Sequence, residues 1–222
     1  MKIFLHLVII LLKKDSDYML NSLYGNLKGV LEMTWPTLFI SLILLISVRL
    51  SYIWKHKCKF VLHKEILLLF FALYILCLFQ VVTAQDINIS NGNNFIPFAE
   101  ILRYKPLGRL FVKNIIGNVI MFLPYGFFVG KYASGKNFIL TILLIFLASF
   151  SIEFTQLAIG RIFDVDDIIL NVLGGILGYI IYLFFERIYN ILPKIFKTDI
   201  FLNILSIIFF GLVVSGIVFM II

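Results

Sequence analysis

The stretch EILLLFFALYILCLFQVVTA at residues 65–84 decides the class of fold, because it is continuous, apolar and charged only at its first position. Its 20 residues are the length that an α-helix needs to cross the hydrocarbon core of a bilayer. Inside hydrocarbon, every backbone N–H and C=O group must be paired within the protein, and a helix meets that requirement by itself. The stretch therefore predicts a membrane-spanning α-helix.

Five further stretches have the same character. Of the 222 residues, 62% are hydrophobic and 14% are charged, whereas a soluble domain has about half apolar and about a quarter charged residues. That surplus of apolar surface requires lipid as its solvent. We therefore predict an all-α fold, a polytopic transmembrane helical bundle of five or six spans. The candidate spans are residues 35–54, 65–84, 115–132, 138–159, 168–186 and 200–222.

The N-terminal region differs from the rest of the chain. Residues 2–14 are apolar but too short to cross a bilayer, so we expect them to lie at the interface or to insert partly. Residues 19–34 carry leucines at helical spacing with polar residues between them, which predicts an amphipathic helix in the headgroup plane or docked on the protein. We predict two domains: residues 1–64, with the first span, and residues 65–222.

The chain is basic, with a formal net charge of +7. In a membrane protein, basic residues concentrate in cytoplasmic loops, so the charge indicates topology and contact with anionic headgroups and gives no reason to expect nucleic acid. Loops 55–64, 131–136 and 187–197 are the basic ones and are predicted to be cytoplasmic. Cys58 lies in a loop and Cys77 in a predicted span, which predicts neither a disulfide nor a metal site, and we predict no cofactor.

Polar side chains inside the predicted spans are the candidates for function. A charge at mid-membrane costs about 2.5–3.5 kcal/mol on insertion scales, so each such residue needs a partner or a role. Ser149, Glu153 and Gln156 are spaced by four and three residues and form one polar stripe. With their neighbours at the same predicted membrane face, they give a set of candidate ligand-binding residues: Asn118, Tyr125, Glu153, Gln156, Arg161, Asp164, Asp167 and Asn171, with Asp166 and Asn114 close by.

Structural roles compete with binding at these positions. Asp164 or Asp167 would cap the fifth span, since an aspartate before an apolar run accepts hydrogen bonds from the first helical N–H groups. Glu153 would pair with a neighbouring cation or amide inside the membrane. Gly174 and Gly178 form a small-xxx-small pair, which indicates close packing against another helix.

Four segments in this order resemble the VanZ-like membrane family: NFIPF at 94–98, NVIMFLPYG at 118–126, E-x-x-Q at 153–156 and RIFDVDDIILNVLGGILG at 161–178. The resemblance extends over about residues 70 to 220, so the second predicted domain is VanZ-like. It implies a multi-pass protein of the bacterial cell membrane. The founding members of the family are linked to low-level resistance to the glycopeptide teicoplanin. It implies no established reaction, and it implies that the polar motif faces the outer side.

Three functions stay open at this point. The first is a non-enzymatic protein that binds membrane lipids, through anionic headgroups or lipid-linked cell-wall precursors, or that alters glycopeptide access; the basic residues Arg103, Lys105, Arg109 and Lys113 would hold phosphates. The second is an intramembrane enzyme acting on a phospholipid or polyprenyl-phosphate substrate, with clustered acids clamping Mg²⁺. The third is a small transporter in which Glu153 relays protons.

Overall fold

The computed structural model describes residues 36–37, 39–84, 92–104, 108 and 110–221. Over those residues the protein is helical, and its β-structure is limited to one isolated bridge. The predictions for residues 2–14 and 19–34 lie outside the described residues.

Six of the described helices are long and apolar enough to cross a membrane, which confirms the predicted all-α bundle of five or six spans. The candidate span Phe111–Ser134 consists of the α-helix Gly117–Val129 with a π-helical turn at each end. The helices are α1 (Phe39–His56), α2 (Leu62–Ala84), the short α3 (Ala99–Arg103), α4 (Gly117–Val129), α5 (Phe138–Ala158), α6 (Val165–Ile191) and α7 (Asp199–Ile221).

The predicted and observed bounds differ most at α6. The apolar run predicted residues 168–186, whereas the helix covers Val165–Ile191. Hydropathy marks only the part of a helix that tolerates lipid, and α6 continues through polar residues at both ends because its backbone hydrogen bonds do not depend on side-chain polarity.

The described residues divide into two compact units. One lies within Asp86–Tyr182, and the other lies within Val30–Gln85 and Leu183–Ile222. The division reports packing, and the predicted domain boundary between residues 64 and 65 stays a prediction.

In the first unit, α4 and α6 touch through their backbones at glycines. A Cβ atom built on Gly174 would lie 2.1 Å from the carbonyl oxygen of Val119, and one on Gly178 would lie 1.8 Å from that of Leu123. Neither approach is possible for a real side chain, so these positions require glycine. Close backbone packing is a main source of helix association where no water drives it, and the predicted packing role of the two glycines is confirmed.

In the second unit, polar contacts join α1 to α2 and α2 to α7. Arg49 donates two hydrogen bonds to Glu65, from Nε to Oε2 at 2.7 Å and from Nη2 to Oε1 at 3.1 Å. The backbone N–H of His63 donates to Oδ1 of Asn203 at 2.9 Å. The bidentate pair lets an arginine stand within an apolar helix with its charge balanced.

Candidate functional site

The end of α5 carries a buried carboxylate with defined partners. Glu153 is 1% exposed, and its Oε2 accepts a hydrogen bond from the backbone N–H of Asp164 at 3.0 Å. With the Gln156 amide turned so that its nitrogen faces Glu153, that nitrogen donates to Oε1 at 2.8 Å and the amide oxygen accepts from Nη1 of Arg161. The turn after α5 contains Gly160 at φ 84°, a left-handed conformation that suits glycine at a helix end. These contacts bring the stripe of α5 against the start of α6.

Asp164 caps α6. Its Oδ1 accepts from the backbone N–H of Asp166 at 2.8 Å, the N-cap to N2 bond that satisfies one of the free donors at a helix start. The same oxygen accepts from Nδ2 of Asn94 at 2.8 Å. The predicted choice between Asp164 and Asp167 as the cap is therefore resolved in favour of Asp164.

The loop before α3 is attached to the α5–α6 turn by its backbone. The N–H of Asn94 donates to the carbonyl oxygen of Phe163 at 2.9 Å, and the N–H of Val165 donates back to the carbonyl of Asn94 at 3.1 Å. The side-chain oxygen of Asn93 accepts from the N–H of Phe163 at 3.1 Å. This short parallel bridge fixes the position of the NFIPF segment beside Asp164.

Asp166 holds the start of α3 from another part of the chain. It is 1% exposed, and its two oxygens accept from the backbone N–H groups of Phe98 and of Ile101, the second at 3.2 Å. Phe98 has φ 67°, and α3 has no side-chain cap of its own. Asp166 therefore serves as the cap of α3, and each of its two carboxylate oxygens accepts one of these hydrogen bonds.

Two amide side chains connect α6 to the neighbouring helices. Nδ2 of Asn118 in α4 donates to Oδ1 of Asp167 at 2.5 Å. One turn further along α6, Nδ2 of Asn171 donates to Oγ of Ser149 in α5 at 3.0 Å. Asn171 is 2% exposed, and its Oδ1 has no hydrogen-bond partner among the described residues. A buried acceptor without a donor is costly, so this oxygen has unused binding capacity.

Residues 65–186, more than half of the chain, match the sequence profile of the VanZ/LLP1 family. The chain belongs to the VanZ/LLP1 family. No curated protein and no solved structure gives a significant match. The matched VanZ/LLP1 region includes α4 and α5, the NFIPF segment and most of α6, and thus every site contact from Asn93 to Asn171.

Seven of the eight predicted site residues of the VanZ/LLP1 domain belong to a set of hydrogen-bonded groups around the first turns of α6, in which Asn118–Asp167 and Asn171–Ser149 are pairs separate from the group of Glu153 and Asp164. We call it the polar cluster, and it includes Asp166 with the predicted residues. Tyr125 lies outside it. Among the described residues, its ring packs near the ring of Phe122, at a centroid distance of 5.7 Å. Asn114 is directed elsewhere and donates to the Tyr104 hydroxyl at 2.8 Å. The polar cluster consists of Asn118, Glu153, Gln156, Arg161, Asp164, Asp166, Asp167 and Asn171.

Sequence reasoning missed three partners of the polar cluster. Asn93 has no sequence signal of its own, Asn94 stands out only as the first residue of NFIPF, and Ser149 belongs to the stripe of α5 but not to the candidate residues. For Asn94, the available signal was the family resemblance of NFIPF, since the contact with Asp164 joins residues 70 positions apart.

The polar cluster has more acids than bases. It contains four carboxyl groups and one guanidinium, and the charge of Arg161 acts on both Glu153 and Asp167. In the described part of the chain, no three His, Cys, Asp or Glu side chains are arranged to hold a metal ion. The surplus of carboxylate and amide oxygens makes this cluster rich in hydrogen-bond acceptors.

The bond between Ser149 and Asn171 makes a testable contribution to stability. We expect Ser149→Ala to lower the free energy of unfolding by about 0.6–2 kcal/mol, the range for one interhelical hydrogen bond in a membrane protein. Thermal unfolding of the purified protein in detergent measures it. Ser151→Ala is the matched control, because within the described part of the chain the Ser151 hydroxyl bonds back to its own helix, to the carbonyl of Leu147 at 2.7 Å. Equal effects of the two substitutions would contradict the assignment.

Proposed function

We propose that this protein resides in the bacterial cell membrane and binds the polar head of an envelope lipid or lipid-linked cell-wall precursor at the polar cluster. By occupying or masking that molecule, it lowers susceptibility to lipophilic glycopeptides such as teicoplanin. The observation that carries the proposal is the convergence of carboxylate and amide groups from α4, α5 and α6, among them the buried Glu153, Gln156 and Asn171, beside the segment that Asp166 holds.

The contacts to the NFIPF segment and the cap of α6 account for only some residues of the polar cluster. Asp164 and Asp166 are used in capping, and their contacts account for these two carboxylates. Asp167 is half-buried and accepts at Oδ1 from Asn118. Asn171 is different, because its side-chain oxygen is buried and the described residues supply no hydrogen bond to it. Capacity of this kind inside an apolar bundle is expensive to maintain, so a ligand that supplies donors is a sufficient reason for it.

The charge balance narrows the chemistry of the head group. Four acids around one arginine favour a ligand with amino, hydroxyl or amide donors, while Arg161 is the cluster's one group suited to a phosphate. A purely anionic head group would find one cation among four carboxyl groups, and thus few donors to bind it. The broad expectation of anionic headgroups therefore becomes, at this site, a head group that combines donors with a phosphate.

The predicted topology puts this cluster where such a ligand is found. The basic loops 55–64, 131–136 and 187–197 indicate the cytoplasmic side, so the α5–α6 turn belongs to the outer side. Lipid-linked precursors and glycopeptides meet at that surface. No specific observation favours the enzymatic or the transport hypothesis, and both stay as alternatives.

The test is expression of the chain in a teicoplanin-susceptible bacterium. We expect the wild type to raise the inhibitory concentration of teicoplanin and Asp167→Asn to remove most of that increase. Loss of one hydrogen bond to a charged group costs about 1.5–3 kcal/mol, which is roughly a tenfold or greater loss of affinity. Asp199→Asn, at the exposed start of α7, is the control.

Membrane abundance is measured in parallel for every variant. A wild-type protein that reaches the membrane without changing susceptibility would overturn the link to glycopeptides. Full activity of Asp167→Asn at normal abundance would overturn the assignment of the cluster as the binding site.

A further inference from the structure

A groove in the second unit separates α1 from α2. It encloses about 470 Å³, and its walls are apolar side chains such as Leu45, Val48, Ile66, Leu69 and Ala72. Pockets that hold small organic ligands are usually about 300–1,000 Å³ in volume, so the space is large enough for part of a lipid chain. None of the polar cluster residues lines it, so it is a separate feature from the site proposed above.

The charged residues in the groove wall are already paired. Arg49 and Glu65 form the bidentate ion pair between α1 and α2, and Arg49 also lies over the ring of Tyr52 at 5.4 Å from its centroid. The pair adds no net charge, so the wall of the groove is suited to hydrocarbon.

A basic loop lies at one end of this groove. Ile53, Phe60 and Leu62 line the groove and flank or belong to the segment 55–64, which joins α1 to α2. Of the four lysines in that segment, Lys59 is 3.7 Å from the carboxylate of Asp199. The others make no ion pair within the described residues: Lys55, Lys57 and Lys64.

We infer that this groove and the basic loop together form a binding site for an anionic phospholipid. The acyl chain lies between α1 and α2, and the phosphate is held by Lys55, Lys57 and Lys64. An apolar groove by itself would accept any acyl chain, and it is the loop that selects the anionic head group, since clustered basic residues next to a membrane span recognise anionic lipids.

Charge separates this ligand from the two other possible occupants. Residues 1–34 of the same chain carry four lysines and three acids, so that segment brings no excess of negative charge to the loop. A second copy of the chain would bring another basic loop to the same place. An anionic lipid supplies both the apolar chain and the negative charge that these residues require.

Native mass spectrometry of the full chain tests the inference. The detergent-purified protein is mixed with phosphatidylglycerol or with phosphatidylcholine of identical acyl chains. We expect phosphatidylglycerol to bind more tightly, and the triple variant K55Q/K57Q/K64Q to lose that preference. Each lysine near a charged headgroup is worth roughly a fivefold change in affinity, so the loss is on the order of 100-fold.

Two further variants make the result specific. K131Q/K136Q/K194Q removes the same charge from other loops predicted to face the cytoplasm, and it is expected to keep the preference. Ala72→Phe fills the groove and is expected to weaken binding of both lipids. Soluble glycerol phosphate is expected not to compete, because it has no chain to bury.

Several outcomes would overturn the inference. Equal binding of the two lipids by the wild type would remove the selectivity, and an equal loss in both triple variants would show a general charge effect. Competition by glycerol phosphate, with no effect of Ala72→Phe, would indicate a phosphate site without a groove. A change of oligomeric state in Ala72→Phe with unchanged lipid binding would assign the groove to a second copy. None of these variants changes a residue of the polar cluster. A failure of the lipid-binding inference can therefore be told apart from a failure of the proposed function in the teicoplanin test.

Discussion

Replacing Gly178 with leucine is expected to remove most of the folded protein from the membrane. A Cβ at this position would lie 1.8 Å from the carbonyl oxygen of Leu123, so α4 and α6 would have to separate along their contact. Overpacking of a core costs about 1–3 kcal/mol when side chains can adjust, and here the obstacle is backbone, which cannot. We therefore expect Gly178→Leu to lower the free energy of unfolding by more than about 4 kcal/mol, which is a large share of the stability of a typical protein.

Fluorescence-detected size-exclusion chromatography of a tagged chain measures the yield of folded, monodisperse protein. Gly211→Leu is the matched control, because it makes the same change in α7 at a position where a Cβ meets nothing within 4 Å. Equal yields of monodisperse protein from the two variants would show that α4 and α6 do not meet at Gly178.

Asp166→Ala is expected to detach α3 from α6. The substitution leaves the N–H groups of Phe98 and Ile101 without their acceptor, and a hydrogen bond to a charged group contributes roughly 1.5–3 kcal/mol. Hydrogen exchange at these two amides should accelerate by roughly tenfold to a hundredfold for each bond lost. Asp166→Asn keeps one acceptor oxygen and should give an intermediate rate.

The comparison is with Asp199→Ala, which removes an exposed carboxylate near the start of a different helix. If exchange at Phe98 and Ile101 were as slow in Asp166→Ala as in Asp199→Ala, Asp166 would not hold these two amides. Loss of these hydrogen bonds with unchanged teicoplanin susceptibility would show that the loop does not contribute to the proposed binding site.

Much of the fold could be predicted because lipid imposes simple rules on sequence. Residues 138–159 were predicted as a span, and α5 covers Phe138–Ala158. The grouping of Glu153 with Gln156 followed from helical spacing, and the short turn to Asp164 kept those residues near the start of α6. Local geometry was sufficient in these cases.

The position of Tyr125 outside the polar cluster has a physical reason. Seven residues separate it from Asn118, which puts the two on nearly the same face of α4 but about 10 Å apart along the axis. Facing the same way is therefore not enough, because the partner Asp167 is level with Asn118 only. Which residues of α4 are level with α6 depends on glycine contacts such as Gly174 with Val119, and spacing along one chain does not reveal them.

The bridge between Asn94 and Asp164 has a consequence for the order of events during synthesis. The two residues are 70 positions apart, so the ribosome has to make all of α4 and α5 before the partner of Asn94 exists. At about 5–20 residues per second, the NFIPF segment waits roughly 4–14 s for that partner. Completion of the α5–α6 turn is thus the moment at which an early segment is secured, and a nascent chain stalled before residue 164 would present that segment to proteases or chaperones.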